Sequence, residues 1–429
     1  MWLKVILQII FLIFVAISVI NVIHFAMYIV GANFYDIKKF KNQSKIKKNR
    51  SKIRPKITIL IPAHNEEKSI IRCLESIRKN SYRKFQVIVI DDKSSDNTRK
   101  LVAEYIKKNS KRNVKLMYKQ NNVGKAMALN HALRTGVEGS LVMTLDADTV
   151  LHKNAISCAV KYFEDPEIVG VAANVRIIDD LSILGLLQKF EYIVGYRSKK
   201  FYSLTNCEFI VGGVASTYRL NVMKNVSFYD NDTQTEDIGL SMKIVAQGNK
   251  KSRIIYGSDV LAMTESVATF KALLRQRYRW KMGCLQNLFK YKNLFANSNK
   301  NYSRSLTFYR IPMAFFGEIM LLLEPFAIAF VIYLTIASGN PSFIIGAYMA
   351  ITGYLLLNVW PDEHMSIERK LKMSFYSPVM YFLFYIMNLV QLIAITRCIF
   401  KYKQIFGGDL VGSTWVSPER NGNVQVQFN

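Results

Sequence analysis

Apolar residues crowd the two ends of this chain and alternate with polar ones in between. Trp2 to Val30 is almost uninterrupted Leu, Ile, Val, Phe and Ala, with Lys4 its one charge, and it exceeds the ~20 residues a helix needs to cross a bilayer. It is too long for the apolar core of a cleaved leader and no convincing small-residue cleavage site follows it, so it reads as a signal anchor. Three more apolar stretches, about Ile311 to Ile336, Phe343 to Trp360 and Phe375 to Phe400, lie near the other end. The region between, Ala32 to Arg310, is roughly 280 residues long, ample for a globular domain.

Inside that region strand patterns alternate with helical ones. "KITILIPAHNEE", "FQVIVIDDKSSDNT", "VKLMYKQNNVGKAMALNHAL" and "SLVMTLDADTV" each carry an apolar run into polar residues, with helical stretches such as Lys68 to Arg78 and Thr98 to Lys108 between them. Continuous apolar strands with intervening helices predict a mainly parallel sheet covered on both faces. Ligands of such sheets gather at the carboxyl ends of the strands. The polar clusters fall there: His64, Asn65, Glu66 and Glu67 after the first strand, Asp91 and Asp92 at the second, Asp146 and Asp148 at the fourth. On a strand, side chains at i and i+2 share a face roughly 6–7 Å apart, and two carboxylates so placed repel unless a cation is near. Each cluster alone also reads as a helix cap or turn, as Asp96 does before the second helix; together they describe a polar site suited to a nucleotide and a divalent cation.

Charge places the chain without changing the fold. Lys and Arg number 58 against 31 Asp and Glu, a net charge of +27. The basic run "KKFKNQSKIKKNRSKIRPK", Lys38 to Lys56, directly follows the first span, as expected of a cytoplasmic flank. Anionic lipid headgroups are a sufficient partner for it, and nucleic acid is not needed. The same rule creates a conflict: three late spans after a cytoplasmic domain would leave the C-terminus outside, whereas Arg397, Lys401 and Lys403 favour inside. One late stretch being interfacial or re-entrant, or one crossing twice, would resolve it. Cysteines 73, 158, 207, 284 and 398 are scattered and show no C-x-x-C pairing, the pattern of reduced thiols. The five histidines lack H-E-x-x-H spacing, so any metal should be held by oxygen.

The ordered series "IPAHNEE", "VIDDKSSDNT", "GKAMALNHAL", "LDADT", "TEDIGLSMKI" and "QRYRW" resembles the motifs of processive family 2 glycosyltransferases, the synthases of cellulose, chitin, hyaluronan and poly-N-acetylglucosamine. The similarity covers about Lys56 to Gly283, and the flanking spans match as well. It implies an α/β fold, a GT-A-type, Rossmann-like cytoplasmic domain inserted between transmembrane helices. It further implies a UDP-sugar donor, contacted through Pro62, His64, Asn65, Glu66, Asp91, Asp92, Lys125 and Asp146. Mg²⁺ or Mn²⁺ would sit on Asp148 with Asp146. By the same resemblance Asp237 is the base that takes the acceptor proton, with Glu236 beside it. Gln276, Arg279 and Trp280 would contact acceptor and product, and Trp415 and Arg420 would belong to a gating segment. Read from the residues alone, Glu236 and Asp237 equally suit a helix N-terminus, and the Arg and Trp cluster an interfacial anchor.

The expected organisation is an anchor at 1–31, a basic linker at 32–55, the transferase domain at 56–284, an interfacial amphipathic segment at 285–310, a membrane region at 311–400 and a tail at 401–429. Glu318 and Glu324, inside an apolar stretch, mark either a wet channel for the glycan or a helix end at the interface. The resemblance implies a multi-pass synthase in a bacterial cell membrane that builds a β-linked, 1,6-type N-acetylglucosamine polymer from UDP-N-acetylglucosamine. Its partners would be the glycan, the lipid bilayer and a small accessory subunit. Chitin, hyaluronan or lipid-linked transfer are the rival activities; a non-catalytic scaffold is the rival from another class.

Overall fold

The computed structural model describes residues 2–48, 54–110, 113–178 and 182–406. Trp415 and Arg420 lie outside the described residues. An N-terminal helix, α1 (Trp2–Lys48), precedes β1 (Ile57–Ala63), α2 (Ile70–Arg78), β2 (Phe85–Asp91), α3 (Thr98–Lys108), β3 (Val114–Tyr118), α4 (Lys125–Thr135) and β4 (Leu141–Thr144). There follow β5 (Val150–Leu151), α5 (Ala155–Tyr162), β6 (Ile168–Ile177), α6 (Ile183–Leu204), β7 (Ser216–Arg219), α7 (Leu220–Asn225), α8 (Glu236–Val245), β8 (Arg253–Thr264) and α9 (Phe270–Lys290). The described residues end in α10 (Ile311–Ser338), α11 (Ser342–Val359), α12 (Ile367–Phe400) and α13 (Lys403–Phe406).

The strands form one sheet in the order β3-β2-β1-β4-β7-β6-β8-β5. Every residue of β1 and β2 is buried because helices cover both faces. Alternation assigns the sides. Ile57, Ile59, Ile61, Val87 and Val89 pack with Ile70, Leu74 and Val102 of α2 and α3, whereas Leu60, Ile88 and Ile90 pack with Leu129 and Leu133 of α4. β1 pairs in parallel with both β2 and β4, so the chain order reverses beside β1. A crevice opens at the carboxyl ends of strands at such a reversal.

The prediction that Asp146 and Asp148 extend a strand is not met. β4 stops at Thr144, where its pairing with Leu60 of β1 and Ser216 of β7 runs out. The next residues form a turn, with Leu145 N still donating to Leu60 O at 2.9 Å and Thr149 N to Asp146 O at 3.0 Å. The two carboxylates therefore leave in different directions.

Among the described residues four helices are long and apolar enough to cross a membrane: Gln8–Lys41 within α1, Ser305–Ser338 including α10, α11 and α12. α1 is moored to α6, where Arg197 donates to Asn33 Oδ1 at 2.8 Å and Lys200 to Asp36 at 2.7 Å. The sequence boundary at 284 falls inside α9. In the stretch after it Leu288, Leu294 and Leu306 share an apolar cluster with Phe209 and Met242 of the domain, and Ser305–Arg310 runs on into α10.

One turn beneath the sheet tolerates no side chain. Gly139, before β4, has φ +108°, and a Cβ there would lie 2.3 Å from the Lys56 carbonyl oxygen. Gly139→Ala should lower stability by about 2 kcal/mol or more, as expected where a special backbone angle and a backbone clash coincide. Thermal melting of the purified variant in detergent measures this; an unchanged midpoint would contradict the close approach.

Candidate active site

The crevice between β1 and β4 is lined by one cation and three carboxylates. Lys125 is the first residue of α4, and its Nζ donates to Asp146 Oδ1 at 2.7 Å and stands 3.3 Å from Glu236 Oε1. Asp237 closes the group. A methyl group on Gly213 would sit 2.9 Å from Lys125 Nζ, 3.5 Å from Asp237 Oδ2 and 3.8 Å from Asp146 Oδ1. Turn, helix and loop thus meet around a point that only glycine leaves open.

These side chains are positioned from four directions. Asp92 is fully buried and its two oxygens accept from Val123 N at 3.0 Å and Gly124 N at 2.9 Å; they shape the turn that presents Lys125. Gly124 itself has φ +83°, a conformation open to glycine. Glu236 and Asp237 are the first two residues of α8, where acids suit the helix dipole, and Asp237 Oδ1 accepts from Ile238 N at 2.8 Å. α9 holds the entry to α8: Gln286 Oε1 accepts from Gln234 N at 2.9 Å, and Asn287 Nδ2 donates to Thr235 O at 3.3 Å. Gly283 makes that approach possible, since a Cβ on it would meet Thr235 Oγ1 at 2.3 Å.

Electrostatics follow from the crowding. Burial works against the Lys125 charge, but Asp146, Glu236 and Asp237 outweigh it and hold the ammonium above the ordinary lysine range. The same crowding disfavours the charged form of Asp237. Burial, with the Glu236 charge adding to it, pushes it up to about 6, against the pull of Lys125. Such a group changes protonation near neutral pH, as a proton acceptor in catalysis must.

Asp148 lies deeper, 3% exposed, with Oδ2 accepting from Thr264 Oγ1 at 2.9 Å and Oδ1 from Thr149 Oγ1 at 3.4 Å. Among the described residues no three His, Cys, Asp or Glu side chains cluster to cage a metal by themselves. Asp146 and Asp148 turn apart, to Lys125 and Thr264, so their fit to a hard cation of the Mg²⁺ kind rests on their oxygen chemistry: such an ion takes one or two protein oxygens and completes its shell with phosphate and water.

The remaining sequence candidates divide. Pro62 is buried in β1 opposite Ile90. His64 Nδ1 faces the Asp92 carbonyl at 2.9 Å, Asn65 Oδ1 accepts from Ser95 N at 2.8 Å, and Glu66 takes Ser69 Oγ at 2.7 Å. The first two bonds tie the β1 loop to the β2 loop, and the third is local to the start of α2. Asp91 accepts from Ser94 N through Oδ1 at 3.1 Å, but its buried Oδ2 has no partner among the described residues. On α9, Gln276 and Trp280 are half-buried and Arg279 is exposed. Arg277, not singled out from sequence, is buried, ion-paired with Glu191 and 4.2 Å over the Trp280 ring. Gly213 and Thr264 were also missed. Their signals were a Gly-Gly pair closing the apolar "FIV" run, and a hydroxyl at the end of a strand-like "VLAMT".

Residues 58–225 match the family model described as glycosyl transferase family 2. Those residues hold β1 through α7, the part of the sheet that carries Asp92, Lys125 and Asp146. Over 230 residues the chain is 33% identical to a poly-β-1,6-N-acetyl-D-glucosamine synthase of Staphylococcus aureus, covering 53% of this chain and 54% of that one. Over 261 residues it is 32% identical to the synthase of the same name from Staphylococcus epidermidis, covering 60% and 61%. The match thus spans a little over half the length of these relatives. Among solved structures, a mannosyltransferase of Pyrobaculum calidifontis superposes with a TM-score of 0.57 at 19% identity, over 88% of this chain and 99% of that one. That likeness supports the GT-A-like, Rossmann-type α/β fold of the transferase domain.

The raised Asp237 carboxyl has a consequence for stability. An unfolded aspartate releases its proton near 3.8, whereas Asp237 holds its own to about 6. The folded state binds more protons between those values, so stability falls as pH rises through that window. Asp237→Asn cannot lose the proton. Its melting temperature should match wild type near pH 4 and exceed it increasingly up to pH 6 to 7; an offset constant with pH would rule out the shift.

Proposed function

We propose that this chain is an inverting membrane glycosyltransferase that moves N-acetylglucosamine from UDP-N-acetylglucosamine to a growing β-1,6-linked polymer, with its transferase domain in the cytoplasm and its product passed across the membrane. The observation that carries the reading is the meeting of Lys125, Asp146, Glu236 and Asp237 around Gly213 at the switch point of the sheet. The sugar and linkage follow the names of the staphylococcal relatives. The basic flank of α1 favours the cytoplasmic side.

The acceptor hydroxyl oxygen forms a bond to the sugar C1 as the bond from C1 to the diphosphate oxygen breaks, and the electron pair leaves with UDP. Attack comes from the side opposite the leaving group, so the anomeric centre inverts and no covalent sugar–enzyme bond is made. Asp237, unprotonated above about pH 6, takes the acceptor proton. Asp91 Oδ2, buried and unpartnered among the described residues, is suited to accept a hydrogen bond from the nucleoside. Asp148 and Asp146 would hold a divalent cation, Mg²⁺ or Mn²⁺, whose charge offsets that of the diphosphate. Trp280, braced by Arg277, offers a flat apolar face to a sugar ring.

Purified protein in lipid should make polymer from labelled UDP-N-acetylglucosamine alone, and the product should yield to a glycosidase specific for β-1,6-linked N-acetylglucosamine. A product requiring UDP-glucuronate would overturn the homopolymer reading. Asp148→Ala and excess EDTA should each abolish synthesis while leaving the melting curve in place; full activity in EDTA would end the cation argument. Asp237→Asn should retain UDP binding but lose roughly 10²–10⁴ in rate, the usual contribution of a general base. If the acids merely cap α8, asparagine would serve about as well and polymer yield would stay near normal.

A further inference from the structure

α12 has the composition of a membrane span but not the placement of one. Its 34 residues make a helix ~51 Å long, well beyond the ~30 Å of a hydrocarbon core. A crossing helix of that length carries one end away from whatever its other end touches. Both ends of α12 touch the transferase domain. Just before it, Asp362 accepts two bonds from Arg176 of β6, at 2.7 and 2.8 Å, and the His364 carbonyl accepts a third from the same guanidinium at 3.4 Å. At its far end Ile395 and Cys398 pack with Met282 and Leu285 of α9. Gln286 Nε2 then donates to Gln404 O at 3.0 Å, and the Phe289 and Phe406 rings lie 4.6 Å apart. Between these points Met373, Met380 and Met387 join Leu273 of α9 and Leu187 of α6 in one cluster. The helix runs along the domain, not away from it.

Its outer face is apolar. Leu371, Phe375, Val379, Phe382, Leu389 and Phe400 are between 55% and 83% exposed, and their spacing puts them on one side of a helix. Lys370 and Lys372 flank the stripe at one end and Arg397, Lys401 and Lys403 at the other. Apolar stripe and basic ends together are what an interfacial helix presents to anionic headgroups. The polar contacts at its middle agree. Glu324 of α10 accepts from Asn388, near the level where α10 still runs beside α9 and Glu318 meets Lys281 at 2.8 Å.

We propose that α12 does not cross the membrane: it lies in the lipid interface on the domain's side, its packed face on α9 and α6 and its apolar stripe among the lipids of that leaflet. Among the described residues only α10 and α11 then cross after the domain, as a hairpin turning at Gly339, and Leu355 and Val359 bring α11 back to the α6 cluster. Two crossings return the chain to the side it left. The basic residues around Arg397 to Lys403 then stand where the positive-inside rule wants them, and the conflict over three late spans disappears.

Single cysteines at three exposed positions test this in cells. S110C sits in the transferase domain, N340C in the α10–α11 turn and K403C beyond α12, and each is read with a membrane-impermeant maleimide before and after permeabilisation. The wild-type chain is the blank, since Cys73, Cys207 and Cys398 are buried and Cys158 and Cys284 half-buried. The expected result is that K403C behaves as S110C does and opposite to N340C. Labelling of K403C together with N340C, and opposite to S110C, would mean that α12 crosses and would overturn the proposal. If S110C and K403C both label in intact cells, α12 stays interfacial and the cytoplasmic assignment of the domain falls instead.

Discussion

One ammonium among three carboxylates organises the centre of this protein. Without Lys125, Asp146, Glu236 and Asp237 would stand as like charges in a partly buried crevice, and at least one would have to keep its proton or move into solvent. With it, the turn after β4, the start of α4 and the start of α8 are drawn to one point. The balance is incomplete, since Asp237 remains raised to about 6. That residual is what makes a carboxyl useful as a base near neutral pH. The cost is a site whose stability declines over the same pH interval in which it becomes competent.

The arrangement depends on helices that look secondary in a diagram of the sheet. α9 touches the entry of α8 through Gly283, Gln286 and Asn287, and its other face packs against α12 and the start of α10. A short path of side chains therefore links the long apolar helices to Glu236 and Asp237. The motif that includes Gln276, Arg277 and Trp280 lies on that same helix, so these side chains and the brace on the start of α8 share one rigid element.

Much of this was legible from sequence, and for physical reasons. Strands such as "ITILIPA" and "FQVIVID" are buried on both faces and carry no polar alternation to confuse them. Acids at their ends add nothing to an apolar core, which is why they stand out in the sequence, although Asp92 and Glu66 prove to be buried braces of the loops. What sequence could not supply was the direction of each side chain. Asp146 and Asp148 were read on strand geometry, but the pairing of β4 runs out two residues earlier, so one points to Lys125 and the other to Thr264. Arg277 escaped notice because nothing in "RQRYRW" says which arginine faces inward. The three late apolar stretches look alike by composition; only the contacts at both ends of α12 separate it from the hairpin before it.

Those contacts also bear on how the domain stands relative to the bilayer plane. A globular body hung from one helix can swivel about that axis and tilt freely. Here α1 grips α6 through Arg197 and Lys200, while α12 grips β6 at one end and α9 at the other. Contacts at three places restrain that swivel more firmly than one helix could, so the heading of the domain relative to the apolar helices that flank it is fixed by side-chain bonds at α6, β6 and α9.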